Sequence, residues 1–185
     1  MAAEETWARE FVSGDSPQTR EEQISKLFEA LRDSVYRYVL TITREASGAE
    51  EITQEVFLRL VRELGAGRGI KNHQAWVFRV AHNLAMDETR TRKFRRDVDD
   101  VEWREMQDTR VDPHPTPEAA AQASQEASHW QIALTSLPEL QRSCLLLRAE
   151  GFRYREIADI LGVSTSTVAE SMRRAIRRMM KGPHA

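Results

Sequence analysis

The sequence predicts an all-α protein built as two small helical domains joined by a flexible acidic linker. Three observations lead there. Apolar residues recur at three- and four-residue spacings in two separate stretches, Ile24 to Leu84 and Trp130 to Met180, the pattern of helices that bury one face. No stretch alternates apolar and polar residues as a half-buried strand does. Between the two lies a segment rich in acid and proline with no strong apolar stripe, a composition that cannot bury a core. A chain of 185 residues accommodates two small domains and is too short for a barrel enzyme fold.

From Arg20 to Arg44, Ile24, Leu27, Phe28, Leu31, Val35, Tyr38, Val39 and Ile42 form one apolar stripe. After Ser47 and Gly48, read as a break and N-cap, Ile52, Val56, Phe57, Leu60, Val61 and Leu64 form a second, ended by Gly65, Gly67 and Gly69. Asn72 is expected to cap a third helix with Trp76, Val77, Val80, Ala81 and Leu84 facing inward. These three helices make a first domain over residues 20–96, preceded by an extension, 1–19, that is either disordered or a regulatory contact. Residues 97–128 are the linker, carrying Asp112-Pro-His-Pro-Thr-Pro117. A second domain, 129–181, resumes the periodicity at Trp130, Ile132, Leu134 and Leu137, breaks at Pro138 and continues through Leu140, Cys144, Leu145 and Leu147 to Gly151, then holds helices over Tyr154 to Leu161 and Ser164 to Met180; 182–185 form a tail.

The net charge of -2 hides strong segregation. Asp87 to Arg96 carries five basic residues (Arg90, Arg92, Lys93, Arg95, Arg96) against two acids, and Asp97 to Asp112 carries seven acids against two Arg. From Pro138 onward there are nine basic residues and five acids. Two basic faces and an acidic connector result. No apolar run reaches the roughly 20 residues of a bilayer crossing, and Met1 to Glu10 lacks a signal-peptide pattern, so no membrane insertion and a cytoplasmic address are expected.

The most specific motif is Phe152 to Met180. Ile157, Ala158, Leu161, Gly162, Val163 and Val168 fit a helix-turn-helix, with Ala158 permitting close helix approach and Gly162 taking a left-handed turn. Ser164 caps the second helix, whose outer face carries Thr165, Ser166, Ala169, Glu170, Arg173, Arg174 and Arg177, groups able to reach phosphates and base edges. Glu170 and Arg173 stand in its first half, where a carboxylate can accept from cytosine N4 and a guanidinium can fork onto guanine. Arg177 and Arg178 stand near its end, where phosphates are nearer. The plainer alternative is a solvated, Arg-rich bundle helix.

Four segments in order resemble a known family. Ala49-Glu-Glu-Ile-Thr-Gln-Glu-Val-Phe-Leu-Arg-Leu60, Ala75-Trp-Val-Phe-Arg-Val-Ala-His-Asn-Leu-Ala-Met-Asp87, Leu137-Pro-Glu-Leu-Gln-Arg142 and Tyr154-Arg-Glu-Ile-Ala-Asp-Ile-Leu-Gly-Val-Ser164 are similar to regions 2 and 4 of bacterial RNA polymerase sigma factors, the extracytoplasmic function (ECF) group of the sigma-70 family. The resemblance covers about Glu22 to Met180. It implies that the first domain is region 2 and the second region 4, and that the partners are core RNA polymerase (its beta-prime clamp and beta flap), promoter DNA and an anti-sigma factor. By position, Glu51, Gln54, Glu55 and Leu58 would bind the polymerase, and an amphipathic helix with such an outer face suits a partner helix.

For the minus 10 element the resemblance points to the glycine loop and the third helix, with Asn83 as the base-reading candidate beside Lys71, Asn72 and Phe78; Trp76 reads as core. Arg90, Arg92 and Lys93, with Arg95 and Arg96, would hold phosphates. Ser164, Thr165, Ser166, Thr167, Ala169, Glu170, Arg173, Arg174, Arg177 and Arg178 would form the minus 35 face. Ala169, Glu170 and Ser171 depart from the residues frequent there in the family. The linker would either occupy the polymerase RNA channel or be plainly disordered.

No enzyme, cofactor or metal site is expected. The five His never share a helix face with two further ligands, the glycine cluster follows no strand, and no nucleophile turn occurs. Cys144, the one cysteine, reads as a small core residue. A repressor or response-regulator effector would need an upstream receiver or ligand pocket, for which the first helices show no pattern; an all-helical adaptor would leave the basic faces without a role.

Overall fold

The computed structural model describes residues 17–67, 69–98, 133–134 and 136–181. They form the helices α1 (Pro17–Thr43), α2 (Ala46–Gly65), α3 (His73–Val98), α4 (Glu139–Ala149), α5 (Tyr154–Leu161) and α6 (Thr165–Lys181), and among the described residues there is no strand. The chain is all-α, as expected. It divides into two units, Met1–Asp87 and Glu88–Ala185, with the division inside α3.

In the first unit the α1 stripe buries Leu27, Leu31, Val35, Tyr38, Val39 and Ile42, and α2 answers with Ala49, Ile52, Val56, Phe57 and Leu60. α3 joins through Val77, Phe78, Ala81 and Ala85, and the Tyr38 and Phe78 rings meet edge to face with centroids 5.5 Å apart. The α3 stripe is therefore rotated from the expected one. Trp76, Val80 and Leu84 are only half-buried, because the phase of the stripe is set by where α1 offers Tyr38.

The reversal between α1 and α2 also differs from expectation. Ser47 and Gly48 were expected to break the chain; instead the break is at Arg44, a non-glycine residue at φ 57, and both lie in the first turn of α2. Glu45 is the N-cap, its carboxylate accepting from Ser47 N at 2.9 Å and Gly48 N at 3.0 Å. A carboxylate supplies the capping acceptor and also favours the positive helix end. α2 ends at the glycine cluster, where Gly67 has φ 69, and Asn72 caps α3 as expected, Oδ1 accepting from Ala75 N at 3.0 Å.

The second unit packs α4, α5 and α6 around Leu137, Cys144, Leu147, Phe152, Ile157, Ile160, Val168, Met172 and Ala175. Glu156 accepts from Arg153 N at 2.8 Å to close the start of α5. Gly162 turns the chain at φ 65, ψ 33, and Val163 N then donates to Ala158 O at 3.0 Å, the six-to-one bond of a left-handed helix ending. Ser164 caps α6, its Oγ accepting from Thr167 N at 3.1 Å.

Removing the capping carboxylate by Glu45→Ala should lower the stability of the first unit by about 1 kcal/mol. Ser47→Ala should cost distinctly less. Urea unfolding of both variants checks this, and the reverse order would return the cap to Ser47.

Candidate nucleic-acid and partner interfaces

On α2, Ala49, Ile52, Val56 and Leu60 turn inward, which forces Glu51, Gln54 and Leu58 outward, all exposed. Glu55 is half-exposed and accepts from Arg59 Nε at 2.7 Å, one turn along the same face. Leu58 is a large aliphatic side chain 51% exposed. It is not alone: Phe28 and Val61 of the apolar stripes remain exposed at 41% and 43%, and with Ile24, Ser25, Gln54, Phe57 and Leu58 they line an open groove of about 540 Å³ between α1 and α2. The Phe28 ring stands edge-on to Phe57 at 4.9 Å, with the Arg32 guanidinium 6.0 Å from its centre. Sequence periodicity assigned Phe28 and Val61 to the core. The signal that could have exposed them is the width of the two stripes, broader than one neighbouring helix can cover.

On α3, Asn83 is exposed, as are Lys71, Asn72, Arg90 and Lys93. Asn72 uses its side-chain oxygen to cap the helix, and Arg92 reaches Glu88 at 3.4 Å. Phe78 overturns its expected role: it is 0% exposed and packed against Tyr38, so its ring has no open face on which a base could stack. The side chains of Arg95 and Arg96 lie outside the described residues, as do residues 1–16 of the expected extension and 99–128 of the expected linker, whereas residues 17–19 and 97–98 belong to α1 and α3. A part-buried polar link joins α1 to α3, with Tyr38 Oη and His82 Nδ1 2.9 Å apart. Burial pushes the His82 imidazole down from 6.5 to about 4, because the charged ring would lose its hydration there.

In the second unit, Val168, Ser171, Met172 and Ala175 face inward, so Ser166, Glu170, Arg173 and Arg177 fall on the opposite side of α6. Thr165, Ser166, Arg173, Arg174, Arg177 and Arg178 are exposed; Thr167, Ala169 and Glu170 are half-exposed. The Ser164 hydroxyl is committed to the cap and lies 2.8 Å from both Ser166 Oγ and Thr167 Oγ1. Glu170 is engaged twice: Oε2 is 2.6 Å from Arg173 Nη2 and Oε1 is 2.7 Å from Arg174 Nε. Its carboxyl is held below the usual range by the Arg174 hydrogen bond first and the Arg173 charge second. Cys144 is buried, and burial raises its thiol to about 11, partly offset by a hydrogen bond with Ser171, which suits an inert core residue.

Among the described residues no three His, Cys, Asp or Glu side chains gather to hold a metal ion, and no helix is long and apolar enough to cross a membrane.

The geometry defines a helix-turn-helix protein whose second helix turns a basic face outward, preceded by a helical unit with an apolar groove. Residues 27–95 match the family described as Sigma-70 region 2, and residues 131–179 match Sigma-70, region 4, together more than half of the chain and in that order. The chain belongs to the sigma-70 family of RNA polymerase sigma factors, in its ECF group. Curated relatives include the ECF RNA polymerase sigma factor EcfG of Rhodopseudomonas palustris, 29% identical over 80% of this chain and 82% of its own length. A probable RNA polymerase sigma factor, RfaY of Xanthomonas campestris, is 31% identical over 81% of this chain, which spans 38% of that relative. SigE of Mycolicibacterium smegmatis is 30% identical over 80% of this chain and 56% of its own length. Among solved structures, the sigma factor RpoE in complex with the anti-sigma factor NepR, from Bartonella quintana, shares the fold with a TM-score of 0.70 at 18% identity, over 86% of this chain and 96% of that one. CnrH in complex with the cytosolic domain of CnrY gives 0.60 at 17%, over 87% of each chain.

The burial of His82 should make the first unit acid-sensitive. The unfolded chain takes up a proton near 6.5 and the folded one only near 4, so the stabilisation is complete above pH 6.5 and is lost as pH falls through that window, by up to about 3 kcal/mol. His82→Gln should flatten the difference in unfolding free energy between pH 6.5 and 4. Equal pH slopes for parent and variant would contradict the assignment.

Proposed function

We propose that the chain binds core RNA polymerase in the cytoplasm and directs promoter-specific initiation as an accessory factor, without catalysis of its own. The observation that carries this is the pairing of a region 2 match and a region 4 match in family order, each on helices whose expected partner-facing residues, Phe78 excepted, are exposed or half-exposed. The domain layout of the reading is region 2 over 20–96, the acidic connector over 97–128 and region 4 over 129–181.

In this reading the outer face of α2, Glu51, Gln54, Glu55 and Leu58, docks on the beta-prime clamp, and the exposed Phe28 and Val61 extend the contact. Carboxylates and an amide around exposed Leu and Phe give a partner helix both an apolar seat and a charged rim. Promoter opening needs bases drawn out of the stack. Asn83, with Lys71 and Asn72 beside the glycine loop, recognises the minus 10 element, and Arg90, Arg92 and Lys93 hold its phosphates. Region 4 meets the beta flap and sets α6 in the major groove of the minus 35 element, with Arg177 and Arg178 on phosphates and Arg173 on base edges. Control by an anti-sigma factor is supported by the two fold neighbours, each solved with a protein partner.

Transcription in vitro with core polymerase on a library of promoter sequences tests the reading, and absence of promoter-selective initiation would sink it. Leu58→Asp should weaken core binding at least tenfold while leaving the unfolding midpoint unchanged, since half of that side chain already faces water. Asn83→Ala should keep core binding and reduce strand opening, read by permanganate reactivity of the minus 10 region.

A further inference from the structure

Resting on the DNA-reading role proposed for α6, we infer that Glu170 is the built-in counter-ion of the reading face, a positioning residue that withholds Arg173 and Arg174 from indiscriminate phosphate contact. The sequence suggests a simpler part for it, a carboxylate accepting from cytosine. The geometry points elsewhere, because each carboxylate oxygen already has a guanidinium partner, Arg173 at 2.6 Å and Arg174 at 2.7 Å.

Three features support this. Glu170 lies opposite the buried Val168, Met172 and Ala175, so it sits at the middle of the outward face and not at its edge. Spacings of three and four place the two arginines one turn beyond it, and Arg177 adds its charge to the same carboxylate. Arg173 and Arg174 are 69% and 61% exposed; exposed ion pairs contribute only about 0 to 1 kcal/mol to folding, so the arrangement is not needed to hold the helix together.

Its effect falls on binding. Non-specific affinity for DNA comes almost entirely from cations that neutralise phosphates, and a genome offers on the order of a million or more competing sites. A carboxylate that occupies two arginines lowers that background. At a cognate site, base-edge and phosphate contacts together replace the ion pairs, whereas on random sequence the phosphate term alone must do so.

The test measures anisotropy of the full-length chain on a random-sequence duplex and on one selected from the promoter library, across a salt series. Freeing one cation should steepen the slope of log K against log salt by about 0.9 for Glu170→Gln, which amounts to roughly eightfold tighter random-duplex binding near 0.1 M salt. The ratio of selected to random affinity should fall. In an Arg173→Ala, Arg174→Ala background the same change should lose more than half of its effect. An unchanged or shallower slope, an effect that keeps more than half its size without the two arginines, or duplex binding absent from parent and variant alike overturns the inference. A parent that shows the charge effect yet never directs initiation with core polymerase overturns the proposed function and leaves the counter-ion role standing.

Discussion

Each helix of this chain can hide only one stripe, and the rest of the structure depends on that constraint. Units of this size have little interior, so the side chains that reach it, Val35, Val39, Val56, Leu60 and Phe78 in one unit and Leu147, Ile157 and Val168 in the other, fix the rotation of every helix about its axis. Once those are inside, the outward residues follow without further choice. Glu51, Gln54 and Leu58 face out because Ile52, Val56 and Leu60 face in; Arg173 and Arg177 face out because Met172 and Ala175 face in.

The connections then set where those faces start. Among the described residues four positive-φ positions lie at the connections, Arg44, Gly67, Gly151 and Gly162, and two of them show how differently such turns are made. Gly162 adopts φ 65 at no steric cost. Arg44 adopts φ 57 against the preference of a residue with a Cβ, and the neighbouring Glu45 carboxylate, capping α2 through two backbone donors, helps offset it. Ser164 and Asn72 cap their helix starts in the more usual way, with short polar side chains. Functional helices therefore begin at chemically fixed points, which is what a reading helix requires.

Charge is the second organiser. A chain with a net charge of -2 has basic faces because most acids are kept elsewhere in the sequence, and acids that do enter them are paired, Glu88 with Arg92 and Glu170 with both Arg173 and Arg174. The groove of the first unit is apolar, and His82, whose ring meets the Tyr38 hydroxyl, is held neutral by burial.

Much of this was legible beforehand. Helical class, the order of the six described helices, the turn at Gly162 and the caps at Asn72 and Ser164 follow from local rules, since a period of 3.6 and the chemistry of a turn are properties of a few adjacent residues. The family resemblance was legible for the same reason, being carried by short contiguous segments. What only the tertiary structure decided involves competition between residues that local rules treat alike. The periodicity puts Trp76 inward on α3 and Phe78 outside the stripe, yet the position of Tyr38 chose Phe78 for the interior. Phe28 and Val61 fit the periodicity as well as Leu31 or Leu60 do, yet too little neighbouring surface exists to cover them. Glu45 took the cap from Ser47, and Glu170 turned its oxygens to two arginines, because such side chains choose among several partners within reach, and which one wins depends on the three-dimensional placement of them all.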